Sequence, residues 1–206
     1  MSVTNKFSVI PVLVIEDSTW AKDLGSCLVD SGLSIVEVTL RTPQSWEAVS
    51  EMKKVAGLTV GLGSVSKVSD LLRGKEIGID FAVSAGIRRD LVEKSQSLGI
   101  EYFPGVATPS EILIALDCQL QTLKWFPAET LGGISALRAI SAPFPQLNFV
   151  PTGGINGENA KNYLREKNIV AVGGSWMFPK EALASKDLDS ISKQANAAAY
   201  LSKEEK

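Results

Sequence analysis

Short runs of β-branched and aliphatic residues recur along this chain, each followed by a stretch of apolar positions at helical spacing. This alternation predicts repeated strand-helix units, with a parallel sheet inside and helices outside. The predicted strands are Ser8–Val14, Ile35–Leu40, Thr59–Leu62, Phe81–Ser84, Tyr102–Gly105, Thr122–Phe126, Asn148–Thr152 and Val170–Gly173, eight in all. Hydroxyl residues near Ser18, Thr42, Ser66 and Thr108 mark helix starts, with Pro43 and Pro109 where a missing N–H is tolerated. Eight units imply a closed (β/α)8 TIM barrel, near the short end of that fold's size range at 206 residues. An open doubly wound sheet with fewer units is the rival, but the Gly-x-Gly-x-x-Gly dinucleotide fingerprint is missing. A single domain spanning 1–206 is expected, with a last helix around Ile191–Leu201 and a frayed tail at Ser202–Lys206.

Composition narrows the chemistry. At 45% hydrophobic and 21% charged residues the chain suits a soluble globular domain. A net charge of −2 with dispersed Lys and Arg offers no basic patch for nucleic acid or an anionic membrane surface. The apolar run Val9 to Ile15 contains Pro11, lacks a cationic leader and leads into Glu16-Asp17, so it reads as a core strand rather than a signal segment. No stretch approaches the roughly 20 apolar residues of a membrane span. Cys27 and Cys118 lack metal or redox spacing, and a reducing cytoplasm is the expected compartment. Histidine is absent, which eliminates Ser-His-Asp hydrolysis, imidazole proton shuttles and His-ligated metals. Chemistry must therefore use Lys, Glu, Asp, Arg, hydroxyl groups and backbone amides, and neither metal nor cofactor is expected.

Lys124 stands out because it lies inside the apolar stretch Leu120 to Pro127, where a buried strand is predicted. Burial disfavours the charged form of an amine, and a neutral amine attacks carbonyls. The plain alternative is a lysine that carries its charge out to the strand end. Glu37, Thr39 and Arg41 share one side of the second strand at a period of two, and Lys124 and Phe126 share one side of the sixth. If both sides face inward, an acid, a guanidinium and an amine meet at the strand C-termini, where barrel enzymes carry their sites. Glu37, between Val36 and Val38, suits a proton carrier; a structural Glu37–Lys124 ion pair is the competing reading. The planar fork of Arg41 matches a carboxylate. The last two strands end in Thr152-Gly153-Gly154 and Gly173-Gly174-Ser175, and such glycine pairs after strands seven and eight suit a phosphate group. Ser175 and Thr152 add hydroxyl groups. Gly61 to Val65 and Ser84-Ala85-Gly86 line the same mouth, whereas Gly132-Gly133 reads as a turn before a helix.

Together, Val36-Glu37-Val38-Thr39-Leu40-Arg41-Thr42, Lys124-Trp125-Phe126-Pro127-Ala128-Glu129, Pro151-Thr152-Gly153-Gly154-Ile155 and Gly173-Gly174-Ser175-Trp176 resemble the 2-dehydro-3-deoxy-phosphogluconate (KDPG) aldolases and 4-hydroxy-2-oxoglutarate (KHG) aldolases. The resemblance implies a trimeric (β/α)8 barrel that cleaves 2-keto-3-deoxy-6-phosphogluconate to pyruvate and glyceraldehyde 3-phosphate without a metal. It further implies that Lys124 forms a Schiff base, Glu37 transfers protons, and Arg41 with Ser64 holds the pyruvyl carboxylate. Phe126 and Thr152 would shape the pocket, and Gly153, Gly154, Gly174 and Ser175 would hold the phosphate. Against the commoner pattern, Ser64 replaces a threonine, Ala85 a proline, Thr130-Leu131 a smaller pair, and Glu16-Asp17 stands where Lys or Arg is frequent. The galactonate-type phosphosugar is an alternative substrate. A phosphosugar isomerase or epimerase, or a non-catalytic phosphometabolite-binding barrel, are the alternative functions.

Overall fold

β2 (Ile35–Thr39) is buried along its whole length, as required of a strand paired on both edges and covered on both faces. In the computed structural model, which describes residues 2–204, it pairs in parallel with β1 (Val9–Leu13) and β3 (Thr59–Gly63). β4 (Phe81–Val83) and β5 (Glu101–Phe103) extend the sheet beyond β3, and β9 (Val172–Gly174) pairs with the other edge of β1. A second parallel run contains β6 (Gly105–Val106), β7 (Thr122–Trp125) and β8 (Asn148–Pro151). Bridge Phe149↔Ile169 joins β8 to the chain entering β9, bridge Thr152↔Gly173 joins the residue after β8 to β9 itself, and Pro104 links β5 to β6. The result is the expected (β/α)8 barrel.

Six of the eight strands match expectation to within one residue at each end, and two differ by more. The single fifth strand is broken at Pro104, which has no N–H for a ladder but whose carbonyl accepts from the Lys124 amide at 2.9 Å. β5 then serves β4 while β6 serves β7. The last strand starts at Val172 rather than Val170, because Val172 N donates to Ser8 O at 2.8 Å while Val170 N is taken by Phe149 O.

The helices lie outside: α1 (Ala21–Asp30), α2 (Ser45–Met52), α3 (Val68–Ile77), α4 (Arg89–Leu98), α5 (Pro109–Asp117), α6 (Gly133–Ser141), α7 (Ala160–Leu164), α8 (Lys180–Ser185) and α9 (Leu188–Glu204). Thr108 caps α5 as expected, its hydroxyl receiving Glu111 N while the Glu111 carboxylate receives Thr108 N, with Pro109 at the first helical position. The other three starts are built differently. Asp17 caps a 3-10 turn, Ser18–Trp20, ahead of α1. Thr42 precedes α2 by three residues and donates to Ile15 O at 2.6 Å. At α3 the Asp70 carboxylate receives the Ser66 and Lys67 amides. α1 buries Ala21, Leu24, Gly25 and Leu28, one stripe at helical spacing, and each buried leucine contributes about 1.5–3 kcal/mol.

At the N-terminal end of the barrel, a 3-10 turn at Val3–Asn5 is held by the Glu101 carboxylate, which receives Val3 N at 2.8 Å. The opposite end is left to the loops that follow the strands. α9 runs beyond both ends expected for the last helix and includes 202–204; 205–206 of the expected tail lie outside the described residues.

Candidate active site

The strand register decides what faces the interior. Val12, Glu37, Gly61 and Phe81 align across β1 to β4, and Gly105, Lys124 and Val150 across β6 to β8. Lys124 and Glu37 are 5% and 3% exposed, and Lys124 Nζ lies 3.5 Å from Glu37 Oε1. Phe126, two residues along the same side, places its ring centroid 5.1 Å from Nζ. Amine, carboxylate and aromatic ring thus meet inside the barrel, with little water to compete.

Room for the carboxylate comes from β3. A Cβ added at Gly63 would lie 2.8 Å from Glu37 Cγ and collide with Oε1, so any side chain there would push the acid aside. At Gly61 the equivalent space is filled by the Phe81 ring, which packs at 6.2 Å from Phe103. Gly63 was expected to line the mouth; that it clears space for Glu37 was not foreseen, although two glycines at a period of two in one strand are the signal of close approach on its inner face.

Arg41 and Ser64 follow β2 and β3, and Arg41 Nε donates to Ser64 Oγ at 3.2 Å. Ser64 adopts φ 59°, the left-handed region, and Arg41 is exposed. The hydroxyl orients the guanidinium fork while leaving its terminal nitrogens for an anion at the rim. Thr152 is buried, and its side chain occupies the space in which Gly173 has no Cβ. Gly153 and Gly154 leave β8 with φ 100° and 79°, left-handed values that favour glycine. Gly174 is buried at the end of β9, and Ser175 beyond it is exposed. The structure therefore brings Lys124, Glu37 and Phe126 together and joins Arg41 to Ser64. Thr152, Gly153, Gly154, Gly174 and Ser175 stand at the C-terminal ends of the neighbouring last strands.

The unusual Glu16-Asp17 pair divides in two. Asp17 is tied to Lys186 Nζ at 2.7 Å and to Thr19, and these bonds hold its carboxyl well below the ordinary range. It fastens the loop after β1 to the end of α8. Glu16 is exposed beside it.

Against known proteins, the model of the aldolase family described as KDPG and KHG aldolase matches residues 1–194. The chain belongs to the KDPG and KHG aldolase family. It is 38% identical to the KHG/KDPG aldolase of Escherichia coli K12, over 96% of this chain and 93% of that one. A solved structure of the 2-keto-3-deoxy-6-phosphogluconate aldolase of Zymomonas mobilis ZM4 with 3-phosphoglycerate superposes with a TM-score of 0.91 at 40% identity, covering 96% and 93% of the two chains. The KDPG aldolase of Legionella pneumophila, with pyruvate captured at low pH as a covalent carbinolamine intermediate, gives a TM-score of 0.91 at 37% identity, covering 95% and 96%. Among the described residues, no helix is long and apolar enough to cross a membrane.

Proposed function

We propose that this family member is a class I aldolase, a lyase that cleaves 2-keto-3-deoxy-6-phosphogluconate to pyruvate and glyceraldehyde 3-phosphate and 4-hydroxy-2-oxoglutarate to pyruvate and glyoxylate. The observation that carries this reading is the buried Lys124 amine 3.5 Å from the Glu37 carboxylate, inside a barrel of this family. Glu37 is placed to take the ammonium proton, freeing the amine to add to the C2 carbonyl. The carbinolamine then loses water, with Glu37 supplying the proton directly or through a water, and an iminium forms. Glu37 next accepts the C4 hydroxyl proton. The C3–C4 bond breaks, the aldehyde leaves, and the bonding electrons flow into the iminium to give an enamine. Protonation at C3 and addition of water release pyruvate and regenerate the amine.

Binding follows the charges. Arg41, oriented by Ser64, takes the keto-acid carboxylate, and Phe126 and Thr152 set the pocket walls. Gly153, Gly154, Gly174 and Ser175 receive the phosphate. Partners are thus a phosphorylated keto acid and pyruvate, and a cytoplasmic homotrimer is the proposed form, tested by sedimentation mass. Borohydride reduction with pyruvate, followed by peptide mapping, tests the chemistry. A pyruvyl adduct on Lys124, absent without pyruvate, is expected. No adduct on the folded protein would overturn the Schiff base and favour an isomerase or a binding barrel.

A further inference from the structure

Glu129 and Tyr163 take no part in the chemistry of Lys124 and Glu37, yet Glu129 is bonded to the loop that carries the glycine pair and Tyr163 is bonded to Glu129. Past the end of β7, Ala128 N donates to Thr152 O at 2.8 Å and Glu129 N to Gly153 O at 3.0 Å. These bonds continue the β7–β8 ladder beyond the strands and lay Glu129 alongside the Gly153-Gly154 turn. The side chain then fills the space that Gly154 leaves empty: a Cβ there would lie 2.5 Å from Glu129 Cβ and 2.7 Å from Cγ. On its other side, Gly154 O receives Asn159 Nδ2 at 3.1 Å. The turn is gripped from both flanks.

What fixes the Glu129 side chain is Tyr163. Glu129 is exposed, and a solvated glutamate ordinarily samples many rotamers. Its Oε1, however, receives the hydroxyl of Tyr163, a residue 2% exposed on α7 that cannot swing away. Burial, together with the neighbouring Glu129 carboxylate, holds the phenol above its ordinary range, so it stays a donor at all working pH values. Space around the bond is tight: a Cβ at Gly133 would stand 3.2 Å from Oε1 and 3.4 Å from the tyrosine oxygen.

We propose that Glu129 and Tyr163 are positioning residues for the phosphate end of the substrate. Their hydrogen bond locks Glu129 against Gly154 and thereby presets the Gly153 and Gly154 amides for a phosphate group. The pair governs affinity for the phosphorylated end, not the rate of C–C cleavage at Lys124. This rests on the aldolase reading above and on its assignment of the glycine pair to phosphate.

The test uses the full chain, with 2-keto-3-deoxy-6-phosphogluconate, the phosphate-free 4-hydroxy-2-oxoglutarate, and inorganic phosphate as a competitive inhibitor. Tyr163→Phe should raise both the KM for the phosphorylated substrate and the Ki of inorganic phosphate roughly tenfold, the scale of one hydrogen bond to a charged group. Its kcat, and the KM for 4-hydroxy-2-oxoglutarate, should stay near wild type. Glu129→Ala, at an exposed position, should reproduce the same split and serves if Tyr163→Phe does not fold. Equal rises in both KM values, a fall in kcat alone, or unchanged constants would overturn the positioning role. A wild-type protein that inorganic phosphate does not inhibit would instead bring down the phosphate assignment itself.

Discussion

Lys124 Nζ and Glu37 Oε1 approach to 3.5 Å although their strands stand on opposite sides of the barrel. With β5 and β6 counted as one broken strand, four steps separate β2 from β7 in either direction around the strand order, so this contact crosses the interior rather than running along a seam. Two charged groups taken out of water cost several kcal/mol each before their attraction offsets it, and apolar residues would usually hold a barrel together as well. The proposed function gives the placement a reason, an amine with a proton carrier within reach; core stability gives none.

The first prediction concerns that pair. Glu37→Gln preserves shape and removes the acid-base function, and the proposed chemistry uses Glu37 at several proton transfers. A fall in kcat of roughly 10²–10⁴ is expected, with substrate still bound. Lys124→Ala should abolish turnover and pyruvate trapping together. Coupled assay of pyruvate release checks both, and a Glu37→Gln protein with near-normal kcat would remove Glu37 from proton transfer.

A second prediction separates two glycines of one strand. Gly63→Ala forces the Glu37 carboxylate away from Nζ, since the new methyl group would stand 2.8 Å from Glu37 Cγ. Gly61→Ala instead pushes into the Phe81 ring. The expected outcome is a catalytic defect dominating Gly63→Ala, while Gly61→Ala loses stability by about 1–3 kcal/mol through overpacking. Chemical denaturation and steady-state kinetics on both variants distinguish them; equal kcat values would contradict the assignment of Gly63.

Which parts of this were readable from the chain follows from how local each feature is. Eight short apolar runs report their own burial, so the barrel could be inferred from their alternation with helical patterns. Glu37 and Lys124 were legible because a charge in an apolar run is conspicuous, and Arg41 because it continues the side of Glu37 at a period of two. The break at Pro104 was not, because it depends on β5 and β6 serving different neighbours. The role of Gly63 beside Glu37, and Tyr163 altogether, also escaped: one matters through the space it leaves for a side chain 26 positions earlier, the other through a bond to a residue 34 positions earlier. Neither long-range contact leaves a periodic trace.

Arg41 supplies a third prediction. Its Nε is occupied by Ser64 Oγ at 3.2 Å, which leaves the terminal nitrogens for a carboxylate. Lysine at this position keeps the charge but loses the planar fork and the orienting bond. Arg41→Lys should raise the KM for both keto-acid substrates roughly tenfold, as expected for losing one hydrogen bond to a charged group. Ser64→Ala should show a smaller rise in the same direction. Because the carboxylate is common to phosphorylated and unphosphorylated substrates, both KM values should move together, and a change confined to the phosphorylated one would reassign Arg41 to the other end of the pocket.

The last prediction is a pH dependence of stability set outside the site. Tyr102 is 5% exposed, its hydroxyl lies 2.6 Å from Ser84 Oγ, and burial pushes its phenol up to about 12 from an ordinary value of 10. Below pH 10 the phenol is protonated in folded and unfolded chains alike, and the folded state keeps its full advantage. Between pH 10 and about 12 the unfolded chain releases the proton first, so stability falls as pH rises through this window. The loss attributable to Tyr102 is on the order of 2 kcal/mol. Denaturant midpoints measured from pH 8 to roughly 11.5, which brackets most of the titration window, should fall less steeply for Tyr102→Phe than for the wild type. Parallel curves would mean that this phenol ionises as easily in the folded chain as in the unfolded one.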